Sequence, residues 1–169
     1  MKIELKSITK EDEALLYEIY ASTRNEEIDS WGWSAEQKTL FLDMQWRAQQ
    51  ASYNQQFPRA SHWKIVVDAE GVGRFFTEEQ PEYHHLIDIA LLPNYQGRGI
   101  GTLLIVQLQK KAKEQRKAVV LQVLKINSAR DLYEKLGFQV IQEDEIYMKM
   151  LCYGNKRKGE CWHVRGVSR

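Results

Sequence analysis

The first third of the chain passes from the hydrophobic period of a strand to that of helices. Residues 1–8 alternate apolar and polar positions, which predicts an opening strand. Thr9 with Asp12, and Ser34 with Gln37, have the spacing of capping boxes and predict two helix starts. The apolar faces predicted for these helices are Leu15, Leu16, Ile19 and Tyr20 for the first, and Leu40, Phe41, Met44 and Trp46 for the second.

Between the two predicted helices, residues 25–33 break the helical period and predict a connecting loop. From residue 62 the period becomes that of strands, with a turn expected at Glu70-Gly71. The remaining predicted elements are strands at 62–67, 72–77 and 85–92, a helix through 117, a strand at 119–124, a helix over 128–136 and two strands within 140–150. This order predicts a mixed α/β domain.

Composition narrows the classes of function. The chain has 169 residues and a formal net charge of +1, which favours neither nucleic acid nor an acidic membrane as a partner. Its beginning has no apolar signal-peptide core, and no apolar run approaches the roughly 20 residues that span a bilayer. We therefore expect a cytoplasmic protein. Two cysteines, Cys152 and Cys161, provide neither a disulfide scaffold nor a zinc site, so no metal is expected.

The segment with the clearest chemistry is Gln96-Gly97-Arg98-Gly99-Ile100-Gly101, which follows a predicted strand and precedes a long helix. A glycine-rich turn at a helix N-terminus aims backbone N–H groups at one anion, which predicts a phosphate or pyrophosphate ligand. Two other phosphate-binding motifs are excluded. A Walker loop requires a lysine before Thr102, and a dinucleotide fingerprint requires the spacing G-x-G-x-x-G; the segment has neither. On this pattern alone, a purely structural turn stays open.

Two segments resemble the GNAT superfamily of acyl-CoA-dependent N-acetyltransferases. Residues 89–101, IALLPNYQGRGIG, are similar to its acyl-CoA-binding motif, and residues 127–138, NSARDLYEKLGF, to its N-x-x-A-x-x-x-Y-x-x-x-G-F segment. The resemblance implies a GNAT-like domain over 1–150 and leaves 151–169 as a basic C-terminal extension. The fold class it implies is α/β (α+β), with a mixed, mostly antiparallel central sheet of six to seven strands, about four helices, and a splayed strand pair that holds the acyl-CoA.

The same resemblance implies acetyl-CoA as co-substrate. By position, the strand before the loop would hydrogen-bond the pantetheine arm, the loop would hold the pyrophosphate, and Asn127 would contact the pantetheine or its thioester end. The expected cofactor-binding residues are Ile89, Ala90, Leu91, Gln96, Gly97, Arg98, Gly99, Ile100, Gly101, Thr102 and Asn127.

The resemblance also implies two catalytic residues. Tyr133 would protonate the departing thiolate, a task that suits a phenol because its pKa lies near that of an alkyl thiol. His85 occupies a position eleven residues before Gln96, where several relatives carry a Glu or His base. Other interpretations stay open: His84 and His85 as exposed edge residues, Tyr133 as a packed aromatic, and Asp88, Glu78 or Glu79 as bases acting through water.

The acceptor is expected to be a small-molecule amine or a peptide amine, and a homodimer stays open. Residues 25–33 would form one wall of the acceptor site, where Trp31 and Trp33 could stack on the acceptor or anchor the loop. Two alternatives to an enzyme are a non-catalytic acyl-CoA-binding sensor or regulatory module, which needs neither Tyr133 nor a base, and a structural domain that binds nothing.

Overall fold

Helices and strands follow one another in the predicted order. The computed structural model describes residues 1–153, and the predicted C-terminal extension lies almost entirely outside them. The elements are β1 (Ile3–Ser7), α1 (Glu13–Asp29), α2 (Ala35–Gln56), β2 (Ser61–Val67), β3 (Glu70–Glu79), β4 (Tyr83–Leu91), α3 (Ile100–Glu114), β5 (Ala118–Leu124), α4 (Arg130–Lys135), β6 (Gln139–Glu143) and β7 (Tyr147–Tyr153).

The seven strands form one mostly antiparallel sheet in the order β1-β2-β3-β4-β5-β7-β6. The parallel pair is β4 with β5, in register from Tyr83 opposite Ala118 to Leu86 opposite Leu121. Beyond this paired section β4 continues to Leu91. The expected fold class, a mixed sheet of six to seven strands with about four helices, is confirmed.

The chain forms two compact units, each with its own core. The first comprises Met1–Phe76 and Asp88–Arg98, and the second comprises Thr77–Ile87 and the chain from Gly99 onward. Large side chains that are fully buried in the first unit are Ile19, Ile28, Ile65, Val72 and Phe76; those in the second are Ile100, Ile105, Val119, Leu121, Met148 and Met150.

Both predicted capping boxes are present at the starts of the first two helical segments. The Thr9 amide donates to Oδ2 of Asp12 over 2.9 Å, ahead of a short 3-10 turn that leads into α1. Ser34 accepts from the amide of Gln37, and Oε1 of Gln37 accepts from the amide of Ser34. These reciprocal bonds satisfy amides that have no partner within a helix, and therefore fix where each segment begins.

Three local predictions were wrong. α1 does not stop near residue 25 but runs to Asp29, because the helix buries Ile28. On α2, Leu40 and Met44 are 73% and 57% exposed, while Leu42 and Trp46 face the core. The helix therefore has apolar residues on two sides, which a single helical period does not separate.

The third wrong prediction concerns the β2–β3 hairpin. Its turn lies at Asp68-Ala69, where both residues have positive φ, 48° and 74°, rather than at Glu70-Gly71. Positive φ at both central residues is typical of the two-residue hairpin turns whose twist matches that of the flanking strands. Glu70 and Gly71 consequently belong to β3.

Candidate active site

The predicted phosphate loop has the backbone conformation of an anion-binding turn. Gly97 and Gly99 adopt left-handed φ values of 70° and 78°, and Gly99 is the N-cap of α3. A Cβ built on either glycine meets no atom within 4 Å. Side chains here would therefore point into open space at the N-terminus of a helix of 15 residues, where a phosphate would approach.

The strand before the loop is held close to its neighbour at Gly73. A Cβ on Gly73 would lie 2.5 Å from the carbonyl oxygen of Ala90 and 2.8 Å from Cδ2 of Leu91. After β4, the Leu92 amide donates to the Val72 carbonyl over 2.8 Å. Since backbone oxygen cannot move as a side-chain tip can, Gly73 sets how closely β3 approaches Ala90 and Leu91.

Gln96 links the loop back to the end of β4. Its side-chain amide donates to the Leu91 carbonyl over 2.9 Å. A 3-10 turn, Pro93–Tyr95, joins the two segments. Gln96 thus fixes the path of the chain between the predicted pantetheine strand and the predicted phosphate loop, whether or not it touches a ligand.

A buried ion pair stands next to the predicted pantetheine strand. Nε of Arg74, a residue only 3% exposed, lies 2.5 Å from Oδ2 of Asp88. The pair is electrostatic rather than a well-directed hydrogen bond, and among the described residues neither Nε nor Nη1 of Arg74 has a hydrogen-bond partner. Burial raises the pKa of Asp88, while the charge of Arg74 opposes that shift.

His85 lies on β4 opposite Val120 of β5, in the parallel section of the sheet. Burial, with a smaller contribution from the charge of Lys149 on β7, lowers the pKa of His85 to about 4. The imidazole is therefore neutral at neutral pH. His84 is buried and contacts Gln115, and β4 is an inner strand, so the interpretation of both histidines as exposed edge residues was wrong.

The alternative carboxylate bases all have local partners. Asp88 is paired with Arg74, Glu79 lies 2.6 Å from Nζ of Lys117, and Glu78 accepts from the Gln80 side chain over 2.5 Å. The hydrogen bond from Lys117 is the main reason that the pKa of Glu79 is lowered. The lowered pKa makes the Glu79 carboxylate a weaker proton acceptor, whereas burial raises the pKa of Asp88.

Tyr133 and Asn127 lie at the junction of β5 and α4. Oδ1 of Asn127 accepts from the Ala129 amide over 2.9 Å and so shapes the turn into the helix. Tyr133 is buried on α4 and meets the Phe138 ring edge-on, with ring centroids 5.7 Å apart. Each side chain therefore has a structural function, which can coexist with the predicted contacts to the thioester.

The second unit contains a polar recess of about 180 Å³ that is lined in part by Lys149. Asp144 accepts from the amides of Ile146 and Tyr147, which lowers its pKa, and Glu143 pairs with Lys125 over 3.2 Å. The recess is lined by Gln122, Gln142, Glu143, Asp144, Tyr147 and Lys149.

The predicted acceptor wall holds an aromatic cluster. Trp31, Trp33 and Phe41 make mutual edge contacts with centroids 4.9–5.5 Å apart. Asp29, the last residue of α1, pairs with Lys38 of α2 over 2.6 Å. The contacts favour the interpretation that these tryptophans anchor the segment between α1 and α2, although each is still more than a third exposed.

Neither a membrane span nor a metal centre is found among residues 1–153. No helix in this part of the chain is long and apolar enough to cross a bilayer. No group of three or more His, Cys, Asp and Glu side chains within it could hold a metal ion.

A glycine loop precedes α3, and β4 and β5 form a parallel pair in a mixed sheet. This combination is the arrangement of an acyl-CoA-dependent acetyltransferase. The family model described as "Acetyltransferase (GNAT) domain" matches residues 31–155, which is well over half of the chain. The protein belongs to this family.

One curated relative and two solved structures illustrate the similarity. Over 89 residues the chain is 36% identical to the [ribosomal protein bS18]-alanine N-acetyltransferase of Haemophilus influenzae, which covers 52% of this chain and 61% of that protein. The PaiA N-acetyltransferase of Thermoplasma acidophilum, solved with coenzyme A, has a TM-score of 0.66 at 21% identity, over 90% and 99% of the two chains. A GNAT acetyltransferase of Elizabethkingia anophelis with acetyl-CoA bound has a TM-score of 0.52 at 18% identity, over 61% and 82%.

Sequence reasoning missed several residues that shape this region. Lys149 was overlooked because its proximity to His85 depends on strand order, which the residue pattern does not determine. Gly73 carried a signal, since a glycine inside a strand often marks close approach of another backbone. The Arg74–Asp88 pair could also have been predicted, because each of these charged residues interrupts a mostly apolar stretch of its strand.

Proposed function

We propose that this protein transfers the acetyl group of acetyl-CoA to a primary amine, by direct attack of the amine on the thioester. The observation that carries the proposal is the geometry of Gly97 and Gly99, whose left-handed backbone opens the N-terminus of α3 to an anion. Family membership supplies the class of reaction. The solved relatives named above hold coenzyme A or acetyl-CoA, which favours the same co-substrate here.

In this proposal the cofactor lies along the path from β4 to α3. The backbone of Ile89, Ala90 and Leu91 hydrogen-bonds the pantetheine arm, since β4 continues past its paired section with β5. The amides of the loop, from Gly97 to Thr102, hold the pyrophosphate. Gln96 positions the loop, and the family resemblance implies that Asn127 contacts the pantetheine or its thioester end.

The chemistry needs no covalent acyl-enzyme. The amine nitrogen attacks the thioester carbonyl, the C–S bond breaks, the amine loses one proton, and the thiolate of CoA gains one. Cys152 does not suit the role of acyl carrier, because burial raises the pKa of its thiol by more than the hydrogen bond from Gln109 to Sγ, over 3.1 Å, lowers it. Tyr133 supplies the proton to the thiolate, as the family motif implies.

His85 as a base sets a condition on the acceptor. An imidazole with a pKa of about 4 is too weak a base to neutralise an ammonium group, so it takes a proton from the amine nitrogen only as the already neutral amine attacks the thioester carbonyl. At pH 7 an α-amino group, with a pKa near 8, is about 10% neutral, whereas a lysine side chain is only about 0.04% neutral. The positive charge of Lys149 beside His85 further disfavours a strongly cationic acceptor. We therefore propose a peptide N-terminus as the acceptor.

The curated relative points in the same direction, since its name describes acetylation of an alanine on a ribosomal protein. The matched part of this chain corresponds to 61% of that relative's length, so its substrate is a guide to acceptor class only.

The test is thiol release from acetyl-CoA with a matched set of acceptors. The set contains a peptide with a free α-amine and no lysine, the same peptide with a blocked α-amine and one lysine, and a polyamine. The proposal expects turnover with the first and little with the others. Turnover confined to the lysine peptide or the polyamine would overturn the acceptor class but not the transferase. Binding of acetyl-CoA without turnover of any acceptor would instead favour a non-catalytic sensor.

A further inference from the structure

A series of side-chain contacts joins the β2–β3 hairpin to the phosphate loop. The hydroxyl of Tyr95 donates to Oε2 of Glu70 over 2.7 Å. The guanidinium carbon of Arg98 lies over the same ring, 5.1 Å from its centroid. Glu70 is the first residue of β3, directly after the tight turn at Asp68-Ala69. The Tyr95 ring thus connects Arg98 of the loop to the first residue of β3.

We propose that Tyr95 and Glu70 are positioning residues that hold Arg98 ready for the phosphates of the donor, and that this makes the enzyme selective for nucleotide-bearing thioesters. This inference rests on the proposed function, because it names how the same loop distinguishes acetyl-CoA from a thioester of pantetheine alone.

The first step of the argument is the exposure of Arg98. The loop from Gln96 to Gly99 is exposed, and an exposed arginine ordinarily samples many rotamers. Ordering it on binding costs free energy that weakens the gain from a phosphate contact. A guanidinium that already lies on an aromatic face loses less on binding, because its plane is fixed beforehand.

The second step is the hydrogen bond from Tyr95 to Glu70. A phenol that donates to a carboxylate keeps its ring in one orientation and gains electron density, which strengthens the attraction of the ring face for a cation. This hydrogen bond is also the main reason that the pKa of Tyr95 is raised, so the hydroxyl stays protonated and continues to donate. Glu70 reaches Arg98 only through Tyr95, and not by a direct ion pair in this structure.

The third step is the location of the charge. Arg98 lies between Gly97 and Gly99, whose left-handed conformations open the loop to an anion. Arginine pairs with phosphate oxygens through two parallel donors, whereas the loop amides recognise only the anion beside the helix. A pantetheine thioester contains neither pyrophosphate nor nucleotide, so it gains nothing from Arg98.

A double-mutant cycle tests the inference. The variants are Tyr95→Leu, Arg98→Gln and their combination, and isothermal titration with CoA measures the dissociation constant of each. Arg98→Gln should weaken CoA binding about 10-fold or more, since it removes a charge-assisted contact. Tyr95→Leu should weaken it about 2- to 5-fold when Arg98 is present and not at all beside Arg98→Gln. Affinity for pantetheine should not change in any variant.

Matched controls separate positioning from folding. Tyr95→Phe keeps the ring and loses the bond to Glu70, so its effect should be smaller than that of Tyr95→Leu and should match that of Glu70→Gln. Arg59→Gln removes the same charge from an exposed turn outside the loop and should leave CoA affinity unchanged. Thermal unfolding of each variant reports any general loss of structure.

The outcomes are distinct. An equal effect of Tyr95→Leu in both backgrounds would show a merely structural tyrosine and overturn the inference. Tighter CoA binding by Tyr95→Leu would also overturn it, because the ring would then be holding Arg98 away from the phosphates. Failure of the wild-type chain to bind CoA would contradict the proposed function itself, and the inference with it.

Discussion

Lys149 on β7 lies close enough to His85 on β4 for its charge to help lower the pKa of the imidazole. Burial is the larger cause, and together they bring the pKa to about 4. A histidine placed in this way is a neutral acceptor throughout the physiological range rather than a group that titrates near pH 6.5. The ionisation that controls the reaction is then that of the acceptor amine.

The first prediction concerns the rate of acetyl transfer. His85→Gln should reduce kcat/KM by a similar factor, roughly 10²-fold or more, at every pH from about 6 to 9, because solvent neutralises the amine in both proteins and His85 takes its remaining proton only during the attack. A pH profile with an α-amine peptide measures this, and the wild-type profile should show no limb near pH 6.5 from the enzyme. Turnover by His85→Gln close to that of the wild-type chain throughout this range would mean that water, rather than His85, accepts the proton.

The second prediction concerns stability at acidic pH. Between about pH 6.5 and pH 4 the unfolded chain gains a proton on this histidine that the folded chain does not, so folding weakens as the pH falls. His85→Gln should remove that part of the loss, and Lys149→Met should reduce it only partly, because burial is the larger cause. Chemical denaturation of the three proteins at pH 7 and pH 4.5 compares them directly. A pH dependence of the unfolding free energy that is identical in all three would contradict the buried, neutral imidazole.

The third prediction concerns Tyr133. Tyr133→Phe keeps the ring that meets Phe138 edge-on and removes the hydroxyl, so the fold should persist while kcat falls by roughly 10²-fold or more. The affinity for acetyl-CoA should change little. Tyr20→Phe is the matched control, since Tyr20 is equally buried and its hydroxyl accepts from Arg24. Normal turnover by Tyr133→Phe would assign protonation of the thiolate to water.

The fourth prediction uses two glycines with the same backbone conformation. Gly99 and Gly32 have φ values of 78° and 69°, and a Cβ on either would meet no atom within 4 Å. Replacement of either by valine should cost about 1–2 kcal/mol of unfolding free energy through left-handed strain. Only Gly99→Val should also abolish acetyl-CoA binding, because only there does the new side chain fill the approach to the helix N-terminus. Equal acetyl-CoA affinity in the two folded variants would remove the basis for the phosphate loop.

The fifth prediction concerns the close approach of β3 to β4. Gly73→Ala should destabilise the protein by about 1–3 kcal/mol and raise the KM for acetyl-CoA, because the new Cβ would lie 2.5 Å from the backbone oxygen of Ala90. In Gly71→Ala the nearest atom would be the flexible end of Leu15, at 2.7 Å, so the cost should be smaller. Denaturation and initial rates of both variants test this, and an unchanged KM in Gly73→Ala would argue against a function for β4 in holding the donor.

The sequence predicted the order of elements well because each signal was local. The capping boxes at Thr9 and Ser34 depend only on residues three positions apart, and both were found. The glycine loop was equally local, since its left-handed positions require glycine whatever surrounds them.

What the sequence did not predict depends on contacts between distant residues. The exposure of Leu40 and Met44 was not predicted, because the buried side of α2 is set by contacts with other elements, such as that of Trp46 with the Tyr17 ring of α1, 5.6 Å away. The low pKa of His85 depends on Lys149, and the orientation of Arg98 depends on Glu70 through Tyr95. In each case the partner is specified by strand or helix packing rather than by spacing along the chain.

The most direct test of the central claim is mass spectrometry of a peptide that carries both a free α-amine and a lysine, incubated with acetyl-CoA and the enzyme. The account predicts a single acetyl group on the α-amine, released CoA in equal amount, and no acetylated intermediate on the protein. Acetylation of the lysine alone, or an acetyl group retained on the enzyme, would contradict it.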